Sequence, residues 1–229
     1  MANRPYLAMT AAEFISCTDR PPRIAWMACH FSAYGRGLSN VPKELPTGSM
    51  LILNDRIEPQ GIDPELVVQQ LKQAVETLAC SGVLLDFQRP GNKLTRAVTD
   101  AVCKALACPV AVSSAYGVKL DCAVFLPPPD LTDDVEAYFR PWQGRDIWLE
   151  VYDQWQAVAI LGDAVQRCTD PPAAIPPLPH YDAALHCRYA VEVLEDRAIF
   201  TLHRGMDEWL ALNRPISNFI ALWQDYHMR

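Results

Sequence analysis

The sequence predicts an α/β fold, a compact or degenerate (β/α)8 TIM-like barrel with an antiparallel hairpin extension in its C-terminal half. Three observations lead there. Between Met50 and Ser114, apolar strand-like runs alternate with amphipathic helical stripes, which implies parallel strands joined by right-handed crossovers. Strand candidates centred near residues 27, 52, 85, 111, 124, 149, 200 and 220 number eight, as that barrel requires. The chain has 229 residues, 50% of them hydrophobic, enough to bury a sizeable core without metal or disulfide staples. Residues 1–229 are read as a single domain. Several crossovers lack clear helices, so an open doubly wound sheet with an antiparallel extension is the alternative.

The elements follow in order. Ile24 to Cys29 is an early strand, and Met50 to Leu53 is a continuous apolar run suited to burial on both faces. Asp63-Pro64-Glu65 then opens a helix: Asp63 caps free amides, Pro64 suits the first position and Glu65 favours the positive dipole end. Val67, Leu71, Ala74, Val75 and Leu78 form its apolar stripe. Gly82 to Phe87 is the next strand. Asn92 caps a helix striped by Leu94, Ala97, Val98, Ala101, Val102 and Leu106, and Pro109 to Ser113 is a further strand.

Cys122 to Leu126 is a strand stopped by three prolines, Leu131 to Phe139 a short helix, and Ile147 to Val151 another strand. Gln156 to Leu161 is expected to pair back on that strand as a hairpin. Asp170 to His180 carries five prolines and reads as a loop. Tyr189 to Leu194 and Ala198 to Leu202 flank a turn at Glu195-Asp196-Arg197. Met206 to Leu212 is a helix, and Ile216 to Trp223 is either a terminal helix or the last barrel strand.

Bulk properties exclude several functions. A net charge of −7 with no basic cluster argues against a nucleic-acid-binding face. The first residues carry no apolar secretory core, and no run reaches the roughly 18–20 apolar residues that span a bilayer, so a cytoplasmic protein is expected. The eight cysteines form no CxxC pair. They read as small buried thiols rather than metal or redox centres, and no cofactor is expected.

Functional groups in parallel α/β folds lie at the carboxyl ends of the strands. Those positions hold His30 and Tyr34, Asn54 and Asp55, Asp86, Gln88 and Arg89, Ser113 and Tyr116, Glu150, and His203. In the strand at 82–87, alternation sets Leu84, Asp86 and Gln88 on one face and Val83, Leu85 and Phe87 on the other. The second set suits packing against helices. Asp86 and Gln88 then project together into the barrel mouth, where a carboxylate beside an amide can hold a sugar hydroxyl or acetamido group. The competing reading is an Asp–Arg pair with Arg89 or Arg56 that ties down a loop.

This segment, Ser81-Gly82-Val83-Leu84-Leu85-Asp86-Phe87-Gln88-Arg89-Pro90-Gly91, resembles the hallmark strand of the chitinase-type barrels of glycoside hydrolase family 18. That hallmark reads Asp-Gly-x-Asp-x-Asp-x-Glu, often followed by an aromatic residue, proline and glycine. Gly82, Asp86, Phe87, Pro90 and Gly91 fit it; Ser81, Leu84 and Gln88 depart from it. Phe219 to Trp223 is similar to the family's last strand, whose Trp floors the sugar site. The resemblance implies that Asp86 orients an N-acetyl group while Gln88 stands where the acid should be. An amide cannot deliver a proton, although it can hydrogen-bond a glycosidic oxygen. A glycan binder is implied, or a divergent hydrolase of small amino-sugar glycans. In the latter Glu150, or next Asp55, serves as acid at ~5–10 Å from Asp86. Trp223, Tyr34 and Tyr116 are available to stack on sugar rings.

Two other readings stay open. One is a different barrel enzyme (aldolase, isomerase or metal-dependent hydrolase) in which His30, Asp55, Asp86 and His203 converge, although no HxH, HExxH or close acidic pair supports a metal site. The other is an interaction module, with Trp142, Trp148, Trp155, Trp209 and Trp223 supplying a homodimer or partner face. No phosphate-binding loop, dinucleotide fingerprint or nucleophile elbow is present.

Overall fold

The computed structural model describes residues 5–58, 61–116, 121–168, 176–212, 214 and 216–222. In chain order its strands and helices begin with β1 (Tyr6–Met9), α1 (Ala11–Ser16), β2 (Ile24–Phe31), β3 (Leu38–Ser39) and β4 (Met50–Asn54). They continue with α2 (Pro64–Thr77), β5 (Gly82–Asp86), α3 (Lys93–Ala105), β6 (Val110–Ser113), β7 (Ala123–Leu126), α4 (Val135–Phe139) and β8 (Ile147–Val151). The remainder are β9 (Gln154–Leu161), β10 (Ala164–Cys168), β11 (His180–Asp182), β12 (Cys187–Val193), β13 (Ala198–Arg204), α5 (Met206–Ala211) and β14 (Ile216–Leu222). Contacts group the chain into two units. One comprises Met1–Pro127, Gly144–Glu150 and Pro215–Arg229; the other comprises Pro128–Gln143 and Val151–Arg214.

The first unit is a closed barrel. Among the described residues, β1, β2, β4, β5, β6, β7, β8 and β14 form a ring in chain order, and β14 returns to pair with β1. The pairings from β14 through β1 to β8 run parallel. Closure rules out the open doubly wound alternative. Tyr6, Ala8, Ala25, Met50, Ile52, Leu84, Ala111, Phe125, Trp148 and Ile220 fill the interior. The intervening Leu51, Leu53, Val83 and Leu85 are equally buried, which is why β4 and β5 read as unbroken apolar runs. The expected caps are in place: Asp63 accepts from the Glu65 amide at 3.1 Å, and Asn92 accepts from Leu94 and Thr95, each at 2.9 Å. Helices α2 and α3 pack on one another.

Three expectations require correction. The strand near residue 200 is not a barrel strand; β13 lies in an antiparallel sheet of the second unit. The missing barrel strand is β1, whose four residues are all buried and too few to display a period. The segment at 156–161 does not fold back on its predecessor, because β9 pairs with β10 and β13. The open choice at 216–222 resolves to a strand, β14.

The second unit holds a sheet in the order β10-β9-β13-β12-β11, with the expected β12–β13 hairpin and helix α5. Leu131, Val158, Cys187 and Leu202 form its core. Arg204, fully buried, donates to the Pro129 carbonyl at 3.0 Å, Gln154 Oε1 at 3.1 Å, the His186 carbonyl at 3.2 Å and the Leu185 carbonyl. Its guanidinium also covers the Trp209 ring at 4.7 Å. Residues 170–175 of the proline loop lie outside the described residues.

Candidate ligand site at the carboxyl ends of the barrel strands

Leu84 belongs to the barrel interior, so the period of a strand places Asp86 on the same inward face, nearer the mouth. Gln88 follows in the loop, and its Nε2 donates to Asp86 Oδ1. Asp86 is half-buried and Gln88 exposed, so the pair meets solvent. Burial pushes the Asp86 carboxyl above its ordinary value and the Asp55 charge adds to this. The Gln88 bond and the Arg56 charge pull the other way without cancelling it.

The loop that presents Gln88 is fastened from two sides. Asp55, 4% exposed, accepts the Gln88 amide on Oδ1 and the Arg89 amide on Oδ2, each at 3.0 Å. Its carboxylate is therefore engaged in holding main chain, which is a positioning role rather than the expected acid role. Arg89 donates to the Arg56 carbonyl at 3.1 Å and approaches Glu58 at 3.9 Å. The loop is thus tied down by Asp55 through main-chain amides, while the Asp86 carboxylate accepts from Gln88 and feels the Arg56 charge. Below the loop, Phe87 stacks on Phe31 at 5.6 Å and meets the edge of Tyr116 at 5.6 Å.

Register aligns His30 with Asn54, and Asn54 with Asp86, in one row across β2, β4 and β5. Asn54 is buried and donates to the Met27 and Cys29 carbonyls at 2.9 and 3.0 Å. These carbonyls flank the register shift in β2, so Asn54 satisfies the polar groups that the bulge frees. His30 lies 2.7 Å through Nδ1 from the Phe31 carbonyl and 3.0 Å through Nε2 from Asn40 Nδ2, an arrangement satisfied by the Nδ1–H tautomer. Asn40, the residue that orients His30, was not anticipated. It sits at a left-handed position (φ 57°) ten residues away, and nothing in its sequence context signals that contact. Farther around the ring, Ser113 is buried at the end of β6. Glu150, half-buried, follows the interior Trp148 by one strand period on β8. Met27 and Leu222 supply apolar wall.

The remaining candidates fall elsewhere. Tyr116 is 3% exposed and bonds Thr95 Oγ1 at 3.1 Å beneath the loop, so it presents no face to a ligand. Tyr34 is fully exposed. His203 belongs to the second unit, stacked on Trp155 at 3.8 Å and 3.9 Å from Asp153, and does not end a barrel strand. Trp223 lies outside the described residues. Of the tryptophans suggested for a partner face, Trp148 and Trp209 are buried. Among the described residues no cluster of three or more His, Cys, Asp or Glu is arranged to hold a metal ion, and no helix is long and apolar enough to cross a membrane.

No family model and no curated protein matches the chain. Among solved structures it is similar to the spore cortex-lytic enzyme SleL of Bacillus cereus, at 12% identity and a TM-score of 0.47 over 88% of this chain and 63% of that one. SleL of Bacillus megaterium QM B1551 aligns over the same shares at 10% identity and a TM-score of 0.38. The chain therefore spans less than two thirds of the length of either enzyme.

Proposed function

We propose that the barrel mouth binds a carbohydrate, with Asp86 and Gln88 as the central polar pair and amino-sugar oligomers as the ligand class. The observation that carries this reading is the Gln88–Asp86 hydrogen bond at the carboxyl end of β5. It presents a carboxylate oxygen and an amide oxygen side by side, a pattern that accepts from adjacent sugar hydroxyls or an acetamido N–H. Fixed polar neighbours (Asn54, His30, Ser113) line the same strand ends, and the likeness of residues 82–91 to the chitinase-type strand supports the same ligand class. Gln88 cannot act as a proton donor, so binding without hydrolysis is the primary reading. The raised Asp86 carboxyl favours a second one, in which Asp86 is the acid and Glu150 the partner carboxylate.

Calorimetry with N-acetylglucosamine oligomers tests both. Asp86→Ala is expected to weaken binding by about 10–100-fold, since hydrogen bonds to a charged group contribute about 1.5–3 kcal/mol. The sign with pH separates the readings. An ionised Asp86 accepts from hydroxyls, so simple binding weakens as pH falls through its raised value and Asp86→Asn removes that dependence. A protonated Asp86 acting as acid gives the opposite slope, with turnover lost as pH rises. Absence of heat with every oligomer, together with no effect of Asp86→Ala, would sink the sugar-site reading.

A further inference from the structure

The edge of the second unit's sheet carries a surface of its own. Strand β10 ends the order β10-β9-β13-β12-β11, and all five of its residues, Ala164 to Cys168, are exposed. It joins β9 through the two-residue turn Gly162-Asp163, with Gly162 at φ 58° and Leu161 paired to Ala164. Such a turn makes Leu161 and Ala164 a hydrogen-bonded pair, and bonding alternates along an antiparallel ladder. Ala164, Gln166 and Cys168 therefore turn their main-chain groups toward β9, while Val165 and Arg167 turn theirs outward. An outward row of N–H and C=O groups is the feature by which an edge strand recruits another strand.

The side chains at this edge follow a matching pattern. Val165 lies opposite Ile160, Ile160 opposite Ala198 and Ala198 opposite Val193, so an apolar row crosses four strands and stops at β10. Its two ends stand in solvent, Val165 at 70% and Val193 at 79% exposure. Two residues before Val165 is Asp163, exposed in the turn, and two residues after it is Arg167, exposed on the strand. Arg167 reaches Asp130 at 3.4 Å with both side chains mostly in solvent, a surface ion pair that holds it only weakly. Opposite charges placed symmetrically about Val165 make the segment complementary to its own reverse. Antiparallel pairing centred on Val165 sets Val165 against Val165 and each Asp163 against an Arg167. It also brings the outward main-chain groups of the two Val165 residues into a hydrogen-bonded pair. Centring on Gln166 fails, because its main-chain groups face β9. Hydrogen-bond alternation, apolar row and charge thus select the same register.

We propose that β10 docks on β10 of a second copy of this chain, antiparallel and centred on Val165, so that two five-stranded sheets continue into one another. The apolar row then runs on from one copy into the next, flanked on each side by an Asp163–Arg167 pair. A contact built on one five-residue strand a side falls at the low end of interface sizes, below roughly 1,200 Å². The dimer is therefore reversible, with a Kd on the order of 10–100 μM. This surface is distinct from the tryptophan face considered in the sequence, and it uses none of the barrel-mouth groups.

Sedimentation velocity of the full chain from about 1 to 500 μM spans that range and tests the proposal. Reducing agent is kept present, because Cys168 at the end of β10 is exposed rather than buried as the sequence suggested. A monomer–dimer equilibrium is expected. Arg167→Asp and Asp163→Arg each set like charges against one another, and either should weaken dimerisation on the order of 100-fold. An equimolar mixture of the two variants sets opposite charges together again and should pair at wild-type strength. Should either variant fold poorly, Val165→Pro removes the outward N–H without touching a bond to β9 and should itself abolish the dimer. The proposal is overturned by a wild-type chain that stays monomeric throughout, its edge then being guarded by charge rather than used. It is equally overturned by a dimer that the single reversals leave intact, or by a mixture that remains monomeric.

Discussion

Asp55 shows how one side chain can support a site without entering it. Both its oxygens accept main-chain amides from the loop that bears Gln88, and its charge is one of the causes that raise the Asp86 carboxyl. Asp55→Ala leaves two amides without their acceptor, so a loss of about 1–3 kcal/mol in stability is expected from urea denaturation. The same substitution should move the Asp86 titration downward, because a neighbouring negative charge is removed; carboxyl NMR would follow it. An unmoved Asp86 titration would contradict the electrostatic link. In the sequence, Asp55 and Asp86 look alike, each an acid at a strand end. What separates them is the return of the 87–91 loop over β4, and no local pattern encodes that return.

At the scale of the element, β5 shows why its first residue is glycine. A Cβ on Gly82 would come within 2.8 Å of the Trp148 Cη2 atom and 3.2 Å of the Pro109 carbonyl oxygen. Trp148 is 1% exposed inside the barrel, and its ring would have to shift to admit the methyl. Gly82→Ala is therefore expected to cost about 1–3 kcal/mol by overpacking, read as a lower denaturation midpoint. Pairing it with Trp148→Phe should recover much of the loss. Elements of this kind were legible from the sequence: β4, α2, β5, α3 and β6 have apolar runs, capping residues and helical stripes that point the same way. β13 was placed in the wrong sheet because its composition does not state the direction of its neighbours. β1 escaped because four residues are too short to reveal a period.

For the molecule as a whole, the barrel class was legible because its strands follow one another around the ring. The antiparallel extension was legible through its β12–β13 hairpin, but the extent of the second unit was not, since it gathers residues 128–143 with 151–214 and contacts reveal the grouping. Arg204 is its fastening, joining Pro129, Gln154, Leu185 and His186 through one guanidinium. Burial lowers the Arg204 value from its usual range, yet these acceptors keep the group satisfied. Arg204→Met strands the carbonyls and should cost about 3 kcal/mol or more. Hydrogen exchange should report it as lost amide protection in β9, β12 and β13, and unchanged protection there would show that the carbonyls find other donors.

Closure of the ring joins Tyr6 to Ile220, so β1 waits for a partner made much later in the chain. While the chain emerges from the ribosome, β1 and β8 each present a raw hydrogen-bonding edge, the edges that β14 covers in the closed ring. A nascent chain halted before residue 216 is therefore an open, adhesive sheet and a natural client for chaperones.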